Sequence, residues 1–307
     1  MLIIDTDPGI DDAVTILAAL AGDPVPVDHF ATVFGNVPLE RTTENLHLVL
    51  RAAGRAGTPV AVGAASPLFR EAVHAPHIHG NDGLAGITAG LPKPELANSR
   101  LDLSSLIRSS PTPVTFIGLG PLTNLAAALL TDPEIAANIE RVIVQGGAVL
   151  TWGNTTPAAT FNHYSDPEAA AVVYRSGVPV VQVGMDVCRY AGLRGETLLQ
   201  FQDSTSEGGQ FLWQIFSHHW RLRGGALTAE SFLPFNDSLC LAYLLEPGMF
   251  TSEVLAVEIE ITSPLTRGAT VADFDRKMGR PASVEVLLDV DLEAYASFMT
   301  ERLTSLL

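Results

Sequence analysis

The chain has few cysteines and few basic residues. Two cysteines, Cys188 and Cys240, among 307 residues are too few for a disulfide framework, so we expect buried free thiols, although pairing of the two stays open. The 18 Lys and Arg residues stand against 34 Asp and Glu residues, which gives a formal net charge of −16. Because no basic cluster is present, neither nucleic acid nor an anionic membrane surface is an expected partner.

The sequence also lacks long apolar runs. Charged residues, Gly or Pro interrupt every apolar stretch before it reaches the length of a membrane span. The opening residues MLIID have no basic start, and their apolar run is too short for a signal peptide. We therefore expect a soluble, cytoplasmic protein that does not engage a membrane.

Apolar residues themselves are abundant, at 47% of the chain. The runs LIID, HFATVFG, PVTFIGLG and RVIVQGG are nearly continuous in apolar residues, which is typical of strands that are buried on both faces. Amphipathic helical patterns alternate with these runs. Alternation of this kind predicts a mainly parallel sheet that is covered by helices.

The predicted fold class is therefore α/β, as a single large domain that spans residues 1–307, with a central sheet flanked by helices. Asp166, before PEAAAVVYRSG, is the expected N-cap of one of these helices. After Cys188 the chain turns more helical, and GGQFLWQIFSHHWRLRG is part of this helical C-terminal addition. We expect the segment LPKPELANSRLDLSS to form a long surface loop.

Four carboxylates crowd into the stretch DTDPGIDD, directly after the first apolar run. They are Asp5, Asp7, Asp11 and Asp12. Helix capping explains any one of these acids, but it does not also require Asp7 before the rigid Pro8-Gly9 turn. Hard cations such as Ca²⁺ and Mg²⁺ take carboxylate and carbonyl oxygens, and the sequence has no Cys/His cluster with zinc spacing. The loop therefore predicts a cation site, where a carboxylate can take a proton from an activated water.

Two classes of hydrolase place acids after a first strand. The haloacid-dehalogenase-type phosphatases share DTD, but Gly9 stands where they have Thr or Val, and Asp11 and Asp12 have no role in that scheme. Residues 5–13 instead match the signature D-x-D-P-G-x-D-D-A of the inosine–uridine-type nucleoside hydrolases at every position. Further family blocks follow in order: GNV, HGNDGLAG, GPLTN, GGAVLTWGNTTPAATFN, DPEAA and NDSL. The chain resembles this family over nearly its whole length.

The resemblance implies an enzyme that uses Ca²⁺ to hydrolyse the N-glycosidic bond of ribonucleosides, releasing free base and ribose in nucleoside catabolism and salvage. It implies that Asp7, Asp12, the carbonyl of Leu119 and Asp237 hold the cation, and that Asp7 is also the general base. These roles agree with the chemistry, because departure of the base leaves an oxocarbenium-like centre that carboxylates stabilise.

The resemblance also assigns residues to the sugar. Asp11 would bind the ribose 2′-hydroxyl, and Asn162 would bind the diol. Asn36 would orient Asp7 or the sugar, and Asn154 would meet the 5′ side. Amide side chains suit these tasks because they both donate and accept hydrogen bonds.

Three positions depart from the family pattern. Thr160 stands where a Glu helps to hold the sugar, Gln145 stands where a Met precedes Gly-Gly, and Asn236 stands where a His often precedes the last metal-binding Asp. Asn236 lies on the substrate side but is no general acid near neutral pH. Help for the leaving base must therefore come from another residue, or from aromatic stacking and tolerance of an anionic base. The candidates are His79, in a loop that matches a mobile active-site loop, and His218, His219 and Trp220 on a later helix.

These departures keep a second function open. A nucleoside- or sugar-binding protein that retained the cation site and lost the chemistry would also fit Gln145 and Thr160, although the intact acids argue against it. The other histidines of HAPHIHG are expected to be solvated loop residues. The resemblance implies a homodimer or homotetramer. The sequence does not choose between purine, pyrimidine and modified nucleosides.

Overall fold

The structure is a computed structural model that describes residues 1–94, 96–222 and 224–307. Its strands are β1 (Leu2–Thr6), β2 (His29–Thr32), β3 (Val60–Val62), β4 (Asn98–Arg100), β5 (Val114–Gly118), β6 (Ile139–Gln145), β7 (Val180–Val183), β8 (Gly192–Arg194), β9 (Phe232–Pro234), β10 (Phe250–Ile259), β11 (Thr270–Asp273) and β12 (Val284–Val290). Its helices are α1 (Ile10–Leu20), α2 (Leu39–Ala52), α3 (Pro76–His79), α4 (Leu103–Arg108), α5 (Thr123–Thr131), α6 (Phe161–Ser165), α7 (Pro167–Arg175), α8 (Met185–Cys188), α9 (Gly195–Leu198), α10 (Glu207–Leu222), α11 (Ser238–Leu245) and α12 (Leu292–Thr304).

One large sheet organises the molecule. Across the described residues it has ten strands in the order β11-β10-β12-β7-β6-β5-β1-β2-β3-β4. From β12 to β4 the neighbouring strands are parallel, while β10 pairs antiparallel with both β12 and β11 at one edge. The predicted α/β class, with a mainly parallel sheet flanked by helices, is confirmed.

Both faces of the central strands are buried, which explains why the sequence of β1 is nearly continuous in apolar residues. Successive side chains of a strand point to opposite faces. Ile4 joins an apolar cluster with α1, α2, α10, α11 and α12. Ile3 joins a second cluster with α4, α5 and α7 on the other face. A strand covered on both sides has no polar face to alternate with.

The order of the strands reverses beside β1. The chain first adds β2, β3 and β4 on one side of β1, and then adds β5, β6 and β7 on the other side. In open α/β sheets, ligands bind outside the carboxyl ends of the strands at such a switch point. The residues that follow β1, β2, β5 and β6 therefore meet at one place.

The segment LPKPELANSRLDLSS is not the single loop that we expected. It contains β4, which pairs with Val60–Val62, and it reaches into α4. All three residues of β4 are exposed, so no apolar pattern marks this edge strand. Glu95, in this segment, and Arg223, near the end of the predicted helix GGQFLWQIFSHHWRLRG, lie outside the described residues.

Two further observations concern the helices. Asp166 caps α7 as predicted, because its carboxylate accepts a hydrogen bond from the backbone N–H of Ala169. None of the helices in the described ranges combines the length and the apolar character needed to cross a membrane.

Candidate active site

A cavity of about 420 Å³ opens at the switch point of the sheet. This volume is typical of sites for small molecules. The predicted site residues that line it are Asp11, Asn36, His79, Leu119, Asn154, Asn162, His219, Asn236 and Asp237. Asp7 and Asp12 lie beneath this wall, with no exposed surface.

The two carboxylate oxygens of Asp7 differ. The backbone N–H of Asn36 donates to Oδ2 at 2.7 Å, whereas Oδ1 has no hydrogen-bond partner among the described residues. Glycine is needed beside this carboxylate, because a Cβ on Gly120 would lie 2.7 Å from Oδ1 and one on Gly35 would overlap Oδ2. Burial raises the pKa of Asp7 well above its ordinary value, and the charge of Asp12 adds to this effect.

Asp12 is held by three donors. The hydroxyl of Thr6 donates to Oδ1 at 2.5 Å, and the backbone N–H of Gly9 donates to Oδ2 at 3.0 Å. The amide of Asn36 donates to the same Oδ2 at 3.2 Å, so Asn36 contacts both Asp7 and Asp12. Burial raises the pKa of Asp12, and the charge of Asp11 raises it further. The loop and the end of β2 thus fix this carboxylate together.

Carboxylate oxygens of Asp11, Asp12 and Asp237 converge within 4.8 Å of one another. Burial raises the pKa of Asp237 well above its ordinary value, with the charges of the neighbouring acids adding to it, and burial raises the pKa of Asp11 to about 6. Buried like charges are unfavourable without a counter-charge. These three carboxylates form an all-oxygen donor set, which suits a hard divalent cation. The residues present therefore fit such a cation.

Asp5, the fourth acid, points into the sheet and not into the cavity. The amide of Asn124 donates to its Oδ1 at 2.8 Å and to the carbonyl of Thr32 at 3.1 Å. The backbone N–H of Ala64 completes this arrangement by donating to the Asn124 oxygen at 2.8 Å. Burial raises the pKa of Asp5 to about 7. Asp5 therefore joins β1 to its neighbours below the site.

Asn162, at the start of α6, joins the ends of β5 and β6. Its Nδ2 donates to the carbonyl of Leu119 at 2.5 Å, to the carbonyl of Gln145 at 3.1 Å and to Oε1 of Gln145 at 2.8 Å. All three residues line the cavity. The carbonyl predicted to hold the cation and the amide predicted to hold the diol are thus in direct contact.

Thr160 and Asn154, both predicted on the sugar side, have different positions. Thr160 is fully buried, and its hydroxyl accepts a hydrogen bond from the backbone N–H of Gly147 at 2.9 Å. It holds the turn after β6, where Gly146 and Gly147 have φ of 153° and 92°. Asn154 is exposed and lines the cavity, with its Oδ1 accepting from the N–H of Phe161 at 2.8 Å. Only Asn154 thus borders the cavity.

Two buried histidines also line the cavity. His79, the last residue of α3, is buried, and its Nδ1 accepts a hydrogen bond from the backbone N–H of Ile10 at 3.1 Å. The neutral ring therefore carries its proton on Nε2. His219 of α10 is buried and lines the same cavity. His218 instead contacts the carbonyl of Gln214 in its own helix, at 2.9 Å.

Some cavity residues differ from the sequence-based expectation. Trp220 is half-buried on α10 and is not part of the cavity wall formed by the described residues. His74 and His77 are exposed, as expected, yet both line the cavity, and Nδ1 of His74 lies 2.8 Å from the carbonyl of Gly35. In the sequence, the close spacing of the three histidines in HAPHIHG is the signal that could have indicated their position at the cavity. Arg189 also lines the wall, and no sequence motif indicated it.

Comparison with known proteins gives a consistent result. The sequence model for the family described as inosine-uridine preferring nucleoside hydrolase matches residues 2–297. The chain is 38% identical over 302 residues to the non-specific ribonucleoside hydrolase RihC of Shigella flexneri serotype 5b, covering 98% of this chain and 97% of that protein. The same enzyme of Escherichia coli strain K12 is also 38% identical. The structure is similar to that of a plant nucleoside hydrolase, with a TM-score of 0.89, 32% identity and coverage of 99% of this chain and 98% of that one.

Proposed function

The chain belongs to the inosine-uridine preferring nucleoside hydrolase family and is an N-glycosyl hydrolase, and on this basis we propose that it is a Ca²⁺-dependent hydrolase of ribonucleosides. Its products are the free base and ribose. The observation that carries the proposal is the partnerless Oδ1 of the buried Asp7 beside converging carboxylates at the switch point. A general base and a cation site are what hydrolysis of this bond requires.

Asp7, Asp12, Asp237 and the carbonyl of Leu119 would hold the cation. Asp12 and Asp237 belong both to this set and to the observed cluster. Asp11 shares the cluster, but it is partly exposed and lines the cavity, whereas Asp12 is fully buried. This difference supports Asp11 as the residue that accepts from the ribose 2′-hydroxyl. When bound, Ca²⁺ supplies Lewis acidity that lowers the pKa of water.

Asp7 takes the proton from the attacking water at Oδ1. The hydrogen bond from the N–H of Asn36 to Oδ2 fixes the orientation of the carboxylate. Departure of the base leaves positive charge on the sugar, and the surrounding carboxylates stabilise that charge. The acidic residues thus serve two purposes: Asp7 activates the attacking water, and the carboxylates stabilise the charge that the departing base leaves on the sugar.

The sugar and the base meet different walls. Asn162 binds the diol, and the exposed amide of Asn154 faces the 5′ side. His79 reaches the leaving base with its Nε2–H, which the Ile10 contact at Nδ1 leaves as the protonated nitrogen. His219 and Asn236 line the remaining wall of the base side. Donation from His79 to the base would compensate for the lack of an acid at Asn236.

The remaining features of the proposal rest on the sequence pattern or on the family resemblance. They are a single domain over residues 1–307, assembly as a homodimer or homotetramer, a cytoplasmic location and a role in nucleoside catabolism. A small-molecule nucleoside is the proposed partner.

The test is release of free base from a panel of purine and pyrimidine ribonucleosides, measured with Ca²⁺ and again after chelation. We expect turnover with Ca²⁺, loss of turnover on chelation and recovery when Ca²⁺ is restored. Full turnover without a divalent cation would contradict the proposal. Stable nucleoside binding without base release over hours would indicate a binding protein instead.

A further inference from the structure

Two buried amides meet at the ends of β5 and β6 beside the proposed cation site. Gln145 is 4% exposed and Asn162 is 6% exposed, and both border the cavity. The proposed function gives Asn162 a role, but it gives none to Gln145. The contacts between the two side chains supply one.

Two backbone carbonyl groups fix the orientation of the Asn162 side-chain amide. Its side chain lies 2.5 Å from the carbonyl oxygen of Leu119 and 3.1 Å from that of Gln145. A carbonyl oxygen only accepts hydrogen bonds, so the nitrogen of the Asn162 amide must face them. The oxygen Oδ1 is therefore the other end of this amide, turned away from both carbonyls.

The orientation of Gln145 follows from that of Asn162. Oε1 of Gln145 lies 2.8 Å from Nδ2 of Asn162. The reverse orientation would place two donors against each other, so Gln145 must present its oxygen here and direct its Nε2 elsewhere. Gln145 therefore locks the Asn162 amide and keeps its own donor group for another partner.

That donor group has no good partner within the protein. Nε2 of Gln145 is buried, and among the described residues no oxygen or nitrogen atom accepts a hydrogen bond from it. The neighbouring polar group is the thiol of Cys188, which is a weak acceptor. A buried donor without a strong hydrogen bond costs free energy. A ligand oxygen in the cavity would accept a hydrogen bond from it.

Resting on the proposed function, we propose that Gln145 is a specificity-determining residue that recognises the ribose diol together with Asn162. Gln145 offers a donor at Nε2, and Asn162 offers an acceptor at Oδ1. A hydroxyl group both donates and accepts, so this pair matches adjacent sugar hydroxyls. Oε1 of Gln145 and the carbonyl of Leu119 share the same donor, Nδ2 of Asn162, which places Gln145 beside the cation end of the cavity.

The test compares Gln145→Met with the unaltered enzyme. A Met side chain fills similar space but neither locks Asn162 nor donates. For each enzyme, kcat/KM is measured for a ribonucleoside and for its 2′-deoxy, 3′-deoxy and 5′-deoxy analogues. We expect the preference for the ribonucleoside over the 2′-deoxy or 3′-deoxy analogue to fall about tenfold in the variant, as for loss of one hydrogen bond. The preference over the 5′-deoxy analogue stays unchanged.

Gln182→Met is the matched control. Gln182 is another buried amide on a neighbouring strand, and its Oε1 accepts from the hydroxyl of Tyr174 at 3.1 Å, away from the cavity wall. Nε2 of Gln182 is also buried without an acceptor among the described residues, but it lies away from the cavity wall, so the preference of this variant among the analogues does not move. Circular dichroism and melting curves check that both variants fold.

The outcomes separate the two proposals. An active Gln145→Met enzyme with unchanged preference among all analogues would overturn the inference alone. A change confined to the 5′-deoxy analogue would overturn the assignment to the diol. If the unaltered protein releases base from no ribonucleoside, the proposed function fails, and this inference fails with it.

Discussion

The two sides of the cavity are built in different ways. On the proposed cation side, Asp7 and Asp12 follow the central strand β1 and are held by backbone N–H groups of Asn36 and Gly9. On the proposed base side, His79, His219 and Asn236 come from α3, α10 and the turn before α11, the turn that also carries Asp237 of the proposed cation set. The first set is fixed by the sheet, whereas the second set depends on how separate segments pack.

This difference separates the reaction from its specificity. Backbone hydrogen bonds hold Asp7 and Asp12, and Gly35 and Gly120 pack so closely against Asp7 that a side chain at either position would meet its carboxylate. The segments on the base side lie outside the strands of the sheet, and His79 contacts the acidic loop through the backbone N–H of Ile10. We therefore expect substitutions on the cation side to remove activity, and substitutions on the base side to change which nucleosides react.

The largest expected effect is that of Asp7→Asn. The variant keeps the hydrogen bond from the N–H of Asn36 to a side-chain oxygen but loses the base, so kcat falls about 10³-fold or more. Removing a buried charge should not unfold the protein. Base release and circular dichroism measured on the same sample check both points. A variant that retained a tenth of the activity would refute the role of Asp7 as the base.

The second prediction concerns binding of the cation itself. A cation that binds only the folded state stabilises it by about 2.7 kcal/mol at a concentration 100 times its Kd. Adding Ca²⁺ should therefore raise the melting temperature of the unaltered protein by several degrees. Asp12→Asn should lose most of this rise, whereas His79→Ala on the base side should keep it. An equal rise in all three proteins would place the cation outside the acidic cluster.

The features of the fold and of the site that the sequence predicted also differ from those that it did not predict. The apolar runs LIID, HFATVFG, PVTFIGLG and RVIVQGG predicted β1, β2, β5 and β6, because strands buried on both faces are nearly continuous in apolar residues. The crowding of Asp7, Asp11 and Asp12 predicted a cation site, because like charges this close need a counter-charge. Both signals come from strong local constraints on short stretches of chain.

Other features left no local signal. The edge strand β4 is fully exposed, so its pairing with β3 depends on backbone contacts that side chains do not reveal. The convergence of Asp237 on Asp11 and Asp12 was implied by the family resemblance and not by any spacing. The hydroxyl of Thr160 turns towards Gly147 and not towards the cavity, which only the packed turn decides. Tertiary contacts determine these positions.

The third prediction addresses the base side. If the Nε2–H of His79 donates to the departing base, His79→Ala should lower kcat for ordinary nucleosides by tenfold to a hundredfold, about the effect of general acid catalysis. A riboside with a nitrophenolate leaving group needs no proton, so its kcat should change little. Equal losses on both substrates would mean that His79 shapes the cavity without donating a proton.

The smallest expected effect concerns His163, a buried histidine whose response to pH differs from that of the buried acids. His163 lies against Gly146 and the ring of Tyr174, and burial lowers its pKa to about 4. The folded protein therefore keeps His163 neutral, while the unfolded chain takes up a proton below about pH 6.5. Because only the unfolded chain gains this proton, the free energy of unfolding decreases as the pH falls from 6.5 towards 4. Burial raises the pKa of Asp5 to about 7 and that of Asp11 to about 6. These acids change the free energy of unfolding in the opposite direction. Because their pKa values are raised in the folded state, the folded state binds more protons than the unfolded state does.

Comparison with His163→Gln isolates the histidine, because the acids are the same in both proteins. Between pH 6 and pH 5, the free energy of unfolding of the unaltered protein should fall by about 1 kcal/mol relative to the variant, since one proton per molecule is worth about 1.4 kcal/mol per pH unit. Urea unfolding at both pH values and at a fixed Ca²⁺ concentration measures this difference. Parallel curves would show that His163 titrates in the folded protein as it does in the unfolded chain, and that burial behind the Gly146 turn does not exclude its charge.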